Sequence, residues 1–414
     1  MVRLVHPSLL RLLHPWLRGA LAVAFAALIA GVLSVPRPVS AAPPGMVPGE
    51  VLVRFKATAS RSDIRAVMNE LGATRVRRFQ KIRAEHHRIT RLSVEDAVHR
   101  FRNHRAVEII EPNWIVQADD VPNDPQFDLL WGLRNTGQTG GLAGADIDAV
   151  PAWDVQTGSR DVVVAVIDTG TDYDHPDLAG NIWTNTGEVP DNLIDDDGNG
   201  YVDDVHGYDF HNEDGDPMDD NGHGTHVSGT IGAVGNNGVG MTGVARDVRI
   251  MALKFLGGNG SGATSDAVAS VEYAIQMGAH VMNSSWGGSN FSALLQLAIE
   301  NANAAGISFV AAAGNSGISL DSFRHYPASY PVPNVIAVAS TTHHDILSPF
   351  SNFGATTVHL AAPGSSIWST LPGSSYGHIS GTSMATPHVA GAIALLRSEF
   401  PNMAASQIKT TVLS

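Results

Sequence analysis

The chain has 414 residues, 43% of them hydrophobic and 16% charged, with a formal net charge of -14 and no cysteine. That length and apolar content can bury a core larger than one small domain provides. The acidic balance argues against a nucleic-acid partner, which needs a basic footprint, and the missing cysteines leave disulfides out of the stability account.

Residues 1 to 18 carry Arg3, Arg11 and Arg18 and no acid; the apolar run GALAVAFAALIAGVLSV follows, with small residues near Ala41 and Ala42. A basic start, an apolar stretch of about 17 residues and a small-residue cleavage site form a secretory signal pattern, short for a membrane span. Residues 1–42 are therefore read as a removable signal, so the mature protein is expected to be secreted, with no membrane attachment.

Residues 43–120 read as a small domain of their own. Between 43 and 118 there are 14 Lys and Arg against 8 Asp and Glu. EVLVRF reads as a strand, and SDIRAVMNELG sets Ile64, Val67, Met68 and Leu71 on one helical face. VRRFQKI and HHRITRL read as two strands, SVEDAVHRF as a helix with a capping-box pattern at Ser93 and Asp96, and VEIIEPNWIV as a last strand. The order strand, helix, strand, strand, helix, strand is that of a ferredoxin-like α+β unit.

Residues 121–414 form the larger part, and from 119 onward the charge reverses to 8 Lys and Arg against 32 Asp and Glu. The runs VVVAVI, RIMALKFL, HVMNSSW, ISFVAAAG and VIAVAS are continuously apolar, as strands covered on both faces are. Between them, SDAVASVEYAIQMG and SALLQLAIENANAAG have helical spacing, with serine near the start and Gly278 or Gly306 at the end. Strands alternating with helices predict a three-layer α/β fold around a mostly parallel sheet, with ligands at the carboxyl ends of the strands.

Within this part, DDDGNGYVDD carries Asp195, Asp197 and Asn199 at alternate positions, Gly200 at the sixth, the Tyr201 backbone and then Asp203. This is the oxygen-ligand rhythm of a calcium loop. The twelfth position is His206 rather than glutamate, so a further ligand is expected from Asp204 or another segment.

Three polar positions follow apolar runs or open helical ones: Asp168 after VVVAVI, His223 in NGHGTHVSGT, and Ser383 in ISGTSMATPHVAGAIALL. Each has an ordinary explanation alone, since aspartate and serine commonly cap helices and a lone histidine is usually structural. Together they match an orienting acid, a base and a nucleophile. GTSMA lacks the final glycine of the α/β-hydrolase elbow, and HGTH lacks the HExxH pattern of a zinc hydrolase.

VVVAVIDTGTDYDHPDL, NGHGTHVSGT and GTSMATPHVAG resemble the three signature blocks of subtilisin-like serine proteases, in that family's order of Asp, His, Ser. The resemblance spans about residues 121–400 and implies a secreted serine endopeptidase that cuts protein or peptide substrates through an acyl-enzyme. It assigns Asp168, His223 and Ser383 to the triad and Asn315, in FVAAAGNSG, to the oxyanion hole. GNGSG, with Gly260, Ser261 and Gly262, and SSWGG, with Ser285, Trp286 and Gly287, resemble the substrate-lining strands. Ala312, Ala313 and Gly314 would wall the pocket for the residue before the cut, and Trp286, larger than the usual aliphatic residue, would narrow it. The smaller glycine-rich steps Gly381, Ala385 and Gly391 would leave room for substrate and helix packing, with Pro387 near the first helical turn.

The same resemblance implies structural calcium. One loop, GYDFHNEDGDPMDD, would bind through Asp209, Asn212, Asp214 and Asp216. Another, GNNGVGMTG, would use Asn237 and the carbonyls of Gly235, Val239 and Met241, joined by Asp177 and Asp124. The basic segment from Glu50 to Gln117 resembles the family's propeptide, an intramolecular inhibitor and folding helper, cut off between Ala118 and Asn123. A monomer is expected, and the peptidase domain is read as shortened at its C-terminal end.

Overall fold

A computed structural model of the chain describes residues 46–115 and 121–414. The signal expected at 1–42 lies outside the described residues, as do residues 116–120 of the expected cut region. The chain divides into two compact units, Met1–Ala118 and Asp119–Ser414.

In the first unit the order is β1 (Met46–Phe55), α1 (Arg61–Leu71), β2 (Thr74–Phe79), β3 (Ala84–Arg88), α2 (Val94–Phe101) and β4 (Val107–Trp114). The sheet order β2-β3-β1-β4, antiparallel throughout, is the expected ferredoxin-like one, although β2 and β3 begin two residues earlier than their apolar pattern suggested. One face packs Val51, Val53, Val67, Leu71, Phe101 and Ile110 into a core. Ser60 and Ser93 cap the helices by accepting from the amides of Asp63 and Asp96 at 3.1 Å. Only the serine half of the capping box at Ser93 is made.

The second unit is built on seven parallel strands in the order β11-β10-β9-β8-β5-β7-β6. They are β5 (Gly158–Asp168), β6 (Gly207–Asp209), β7 (Asp247–Lys254), β8 (Val281–Ser284), β9 (Ser308–Ala312), β10 (Val335–Thr341) and β11 (Leu360–Pro363). The helices are α3 (Ala149–Trp153), α4 (His223–Gly232), α5 (Thr264–Gln276), α6 (Ala293–Ala304), α7 (Thr382–Glu399) and α8 (Ala405–Val412), and a hairpin joins β12 (Ile367–Leu371) to β13 (Ser375–Ile379).

The continuous apolar runs are explained by two-sided burial. Along β5, Val163, Ala165 and Ile167 pack with α5 and α6, whereas Val162, Val164 and Val166 pack with α4 and α7. Alternate residues of a strand point to opposite faces, so both sets must be apolar to stand between two helical layers. Ser292 caps α6 by accepting from Leu295, but α5 starts at Thr264 after Ala263, with no side-chain cap. Gly278 and Gly306, at φ 73° and 78°, end the two helices as expected.

Register then brings the carboxyl ends into line. Asp168 pairs with Lys254, Ile167 with Ser284, and Ser284 with Ala311. The residues that leave β5, β8 and β9 therefore emerge side by side on one edge of the sheet.

Candidate active site

Asp168 ends β5 and is fully buried. Its Oδ1 accepts from His223 Nδ1 at 2.7 Å and from the Thr169 amide at 2.8 Å. Oδ2 is buried with no hydrogen-bond partner among the described residues, so the imidazole is the main group that offsets this charge. His223 is the first residue of α4, and Gly224 explains how that helix comes so near the strand. A methyl group on Gly224 would lie 2.0 Å from the Gly170 carbonyl oxygen and 3.2 Å from Asp168 Cβ. Only glycine permits this approach.

A second buried carboxylate, missed in the sequence, locks the same junction. Asp219 accepts from the Thr169 hydroxyl (2.9 Å), from the Asn221 and Gly222 amides (3.0 and 2.9 Å), and from the amide and hydroxyl of Thr225 (2.8 and 2.6 Å). Thr169 Oγ1 in turn accepts from the Gly224 amide at 2.9 Å. The end of β5 and the start of α4 are thus held by one network.

Burial pushes the basicity of His223 down, but the charge and hydrogen bond of Asp168, with a further contribution from Asp219, outweigh it. The imidazole pKa lies above the ordinary histidine value. The neighbouring His226 behaves oppositely: burial drives its pKa down to about 4, and its Nε2 is bonded to the carbonyls of Ile367 and Gly377. Only the first histidine of HGTH has a carboxylate on its ring.

Ser383 is not a helix cap. Gly381 occupies the cap position of α7, and Ser383 is the second helical residue, so its amide hydrogen has no carbonyl to reach within the helix. Its hydroxyl donates to the Ser285 carbonyl at 2.9 Å. Asn315 stands just beyond β9, with Oδ1 accepting from the amide and hydroxyl of Thr382 (2.8 and 3.0 Å). That orientation leaves Nδ2 a donor with no acceptor among the described residues, and a methyl group on Gly381 would lie 3.4 Å from it.

Pro387 lies in the second turn of α7, not the first, which corrects the position read from the sequence. Its missing amide hydrogen frees the carbonyl of Ser383, four residues earlier. Ser285 Oγ donates to that carbonyl at 2.8 Å while accepting from Asn283 Nδ2 at 2.9 Å. The residue after β8 and the serine of α7 therefore hold each other by a reciprocal pair of bonds.

Gly260, Ser261 and Gly262 are exposed and line a cavity of about 320 Å³ with Trp286 and Gly287. The Trp286 ring packs edge-on against Phe255, at 4.7 Å between centroids. Ala312, Ala313 and Gly314 are buried and belong to a different wall, so the cavity that Trp286 shapes is not lined by them.

With that geometry in place, comparison with known proteins gives a family. Residues 159–414 match the model of the Subtilase family. The chain belongs to the subtilase family. Residues 36–113 of this subtilase match the fervidolysin N-terminal prodomain. It is 39% identical to a thermophilic serine proteinase of Bacillus sp. (strain AK1) over 86% of this chain and 79% of that one. It is 40% identical to thermitase of Thermoactinomyces vulgaris over 70% of this chain and 90% of that one. A solved cold-adapted subtilisin-like serine proteinase is 37% identical, covering 61% of this chain and 80% of its own, with a TM-score of 0.48. This subtilase is a serine endopeptidase with an N-terminal prodomain.

The three acidic loops differ in how far they converge. Among the described residues, Glu188, Asp197 and Asp204 each bring one carboxylate oxygen within 4.8 Å of the others. Asn199 Nδ2 donates to Asp197 (3.2 Å) and Asp204 (2.9 Å), and burial raises the Asp204 pKa despite donors from Tyr273, Asn199 and Asn185. Asp195 and Asp203 stand outside that group, bonded to backbone amides of Gly198, Asn199, Asn192 and Leu193. Glu188 was missed because it precedes the alternating pattern.

Around Asn237 the expected residues also meet. Its Nδ2 donates to Asp177 Oδ1 at 2.9 Å, the Met241 amide donates to Asp177 Oδ2 at 2.8 Å, and Asp124 accepts from the Asn236 and Asn237 amides. Val239 donates its amide to Asn237 Oδ1. Asp209, Asn212, Asp214 and Asp216 are joined in one loop: Asp209 exchanges two backbone bonds with Asp214 and accepts from Asn212, and the Asp216 amide donates to Asp214 Oδ1 at 3.1 Å. Their carboxylates are engaged singly, Asp209 with Asn212 and the His211 amide, Asp216 with Tyr173 and the Met218 amide.

The Ser285 pair makes a structural prediction. Ser285→Ala leaves the Ser383 carbonyl and the Asn283 amide without partners and should destabilise by about 1–3 kcal/mol in urea unfolding. Adding Pro387→Ala restores an amide hydrogen to that carbonyl, so the double variant should lose less than Ser285→Ala does. Equal losses would contradict the coupling.

Proposed function

We propose that this subtilase hydrolyses peptide bonds through Ser383 as nucleophile, His223 as general base and Asp168 as its orienter. The observation that carries the reading is the 2.7 Å bond between His223 Nδ1 and buried Asp168, which fixes the tautomer that leaves Nε2 free to accept a proton. The Ser383 hydroxyl donates to the Ser285 carbonyl in the structure, so the mechanism requires it to leave that carbonyl and bond His223 Nε2. As Oγ attacks the scissile carbonyl, His223 takes its proton and Asp168 stabilises the imidazolium. The proton then passes to the leaving amine, an acyl-enzyme forms, and water releases it by the same steps in reverse. Asn315 Nδ2 and the Ser383 amide donate to the oxyanion.

Substrate would lie extended against 260–262 and 285–287, pairing through its backbone, with the residue before the cut beside Ala312, Ala313 and Gly314. Residues 43–120 would act as inhibitor and folding helper, and residues 1–42 as secretory signal, with the mature enzyme a soluble monomer. Among the described residues no helix is long and apolar enough to cross a membrane.

Calcium is proposed at two places, around Asp177, Asn237 and Asp124, and among Glu188, Asp197 and Asp204. The donor sets fit a hard cation: they are oxygen-rich, and amide groups of Asn237 and Asn199 stand against carboxylates where a cation would relieve the charge. Bound calcium would brace the loops in place of disulfides.

Casein digestion tests the enzyme reading. Ser383→Ala should abolish cleavage, and Asn315→Ala should lower kcat about 10²–10³-fold with KM little changed, as removal of one oxyanion donor does in subtilisin. Cleavage by Ser383→Ala at the wild-type rate would overturn it.

The acid limb of kcat/KM should have its midpoint above the ordinary imidazole value, because His223 must be neutral to act and its pKa is raised. A rate that is flat from pH 5.5 to 8 would remove His223 as base.

Chelation should lower Tm by roughly 5–10 °C, the effect of losing a ligand held at about a hundred times its Kd. An unchanged Tm would end the calcium proposal.

A further inference from the structure

Two glycines of the proposed substrate site face the same side chain. A methyl group on Gly287 would stand 2.4 Å from Nε2 of His325, and one on Gly314 would stand 3.0 Å from the same atom. The His325 ring therefore lies between the strand that follows β8 and the wall that follows β9. Its backbone is fixed there: the His325 amide donates to Ser329 Oγ at 3.1 Å, and the Ser329 amide donates back to the His325 carbonyl at 2.8 Å. The adjoining Tyr326 exchanges two backbone bonds with Gly288, at 2.7 and 2.8 Å, which ties this segment to the same strand. The imidazole itself makes no hydrogen bond to any described residue, and the residue is only partly buried.

We infer that His325 reads the side chain preceding the scissile bond and selects one ending in a carboxylate or carboxamide, glutamate or glutamine. The inference rests on the proposed placement of substrate between residues 285–287 and 312–314. Glycine and alanine walls supply no side-chain polar group, so the imidazole is the polar group offered to the incoming side chain between Gly287 and Gly314. An apolar side chain laid over it would take its ring N–H from water and return nothing, whereas a side-chain oxygen accepts that hydrogen.

The charge state points the same way. Burial alone lowers the His325 pKa, and no charged side chain acts on it. Its segment neighbours are engaged elsewhere, Arg324 with Thr357 and Asp321 with Thr356 and Thr357. From the other elements it meets the uncharged Gly287 and Gly314, and the other side chain at Gly314 is the uncharged Asn352, which donates to the Ala313 carbonyl. A neutral imidazole at neutral pH gives lysine and arginine no counter-charge. On acidification it protonates and becomes an ion-pair partner for glutamate but not for glutamine.

The experiment is a set of peptide anilides differing only in the residue before the cut, with wild type, His325→Gln and His325→Gly. Wild type should cleave the Gln and Glu substrates at least about tenfold faster in kcat/KM than the Phe and Lys ones. Its Glu-to-Gln ratio should rise as pH falls below the ordinary histidine value, because burial lowers the His325 pKa, and the titration of His223 cancels from that ratio. His325→Gln should keep the preference for Gln but lose the pH dependence of that ratio, and His325→Gly should shift preference toward Phe. A wild-type preference for Phe, or rankings unchanged in both variants while casein is still cut, would overturn the assignment of His325. If His325→Gly does not fold, His325→Gln decides. Wild type that cleaves neither casein nor any anilide would overturn the endopeptidase mechanism, and the inference with it.

Discussion

A carboxylate carried to the end of a fully buried strand must find a hydrogen-bond donor, and Asp168 finds His223. That one requirement organises the peptidase unit. The strand is buried because its two faces support two helical layers. The helix bearing His223 can come close only because Gly224 has no side chain, and Asp219 then ties the turn after Asp168 to the first turn of that helix. The cost of burying a charge is offset by a donor whose own proton affinity rises in return.

The serine side of the site follows from a different constraint. A proline inside a helix leaves a carbonyl unpaired, and here the carbonyl belongs to the residue with the reactive hydroxyl. Ser285 satisfies it and receives the hydroxyl of Ser383 on its own carbonyl. A backbone defect in α7 thereby becomes the joint that holds the helix against the end of β8. The donor amide of Asn315 is set in the same way, because Thr382 occupies its oxygen.

Much of this could be read from the chain alone, for physical reasons. Continuous apolar runs separated by helical periodicity specify a parallel sheet, and the parallel sheet specifies which residues emerge together. The ferredoxin-like order of the first unit was legible too, through strand-like runs, helical spacing and the capping serine at 93, whereas the cap at Ser60 was not read. What could not be read depended on contacts between distant segments. Asp219 and Glu188 are acids among many acids until the fold buries them. Ser285 and Pro387 are 102 positions apart, so nothing local joins them. His325 carries no motif, and only the glycines it touches reveal it. Short β6 and the β12–β13 hairpin, partly polar, also left no period long enough to recognise.

The central claim, that Asp168 sets the proton affinity of His223, is tested most directly by NMR titration of the His223 ring nitrogens in Ser383→Ala protein, with and without Asp168→Asn. A pKa above the ordinary histidine value that falls when Asp168 loses its charge is the predicted result. The same pKa in both proteins would contradict it.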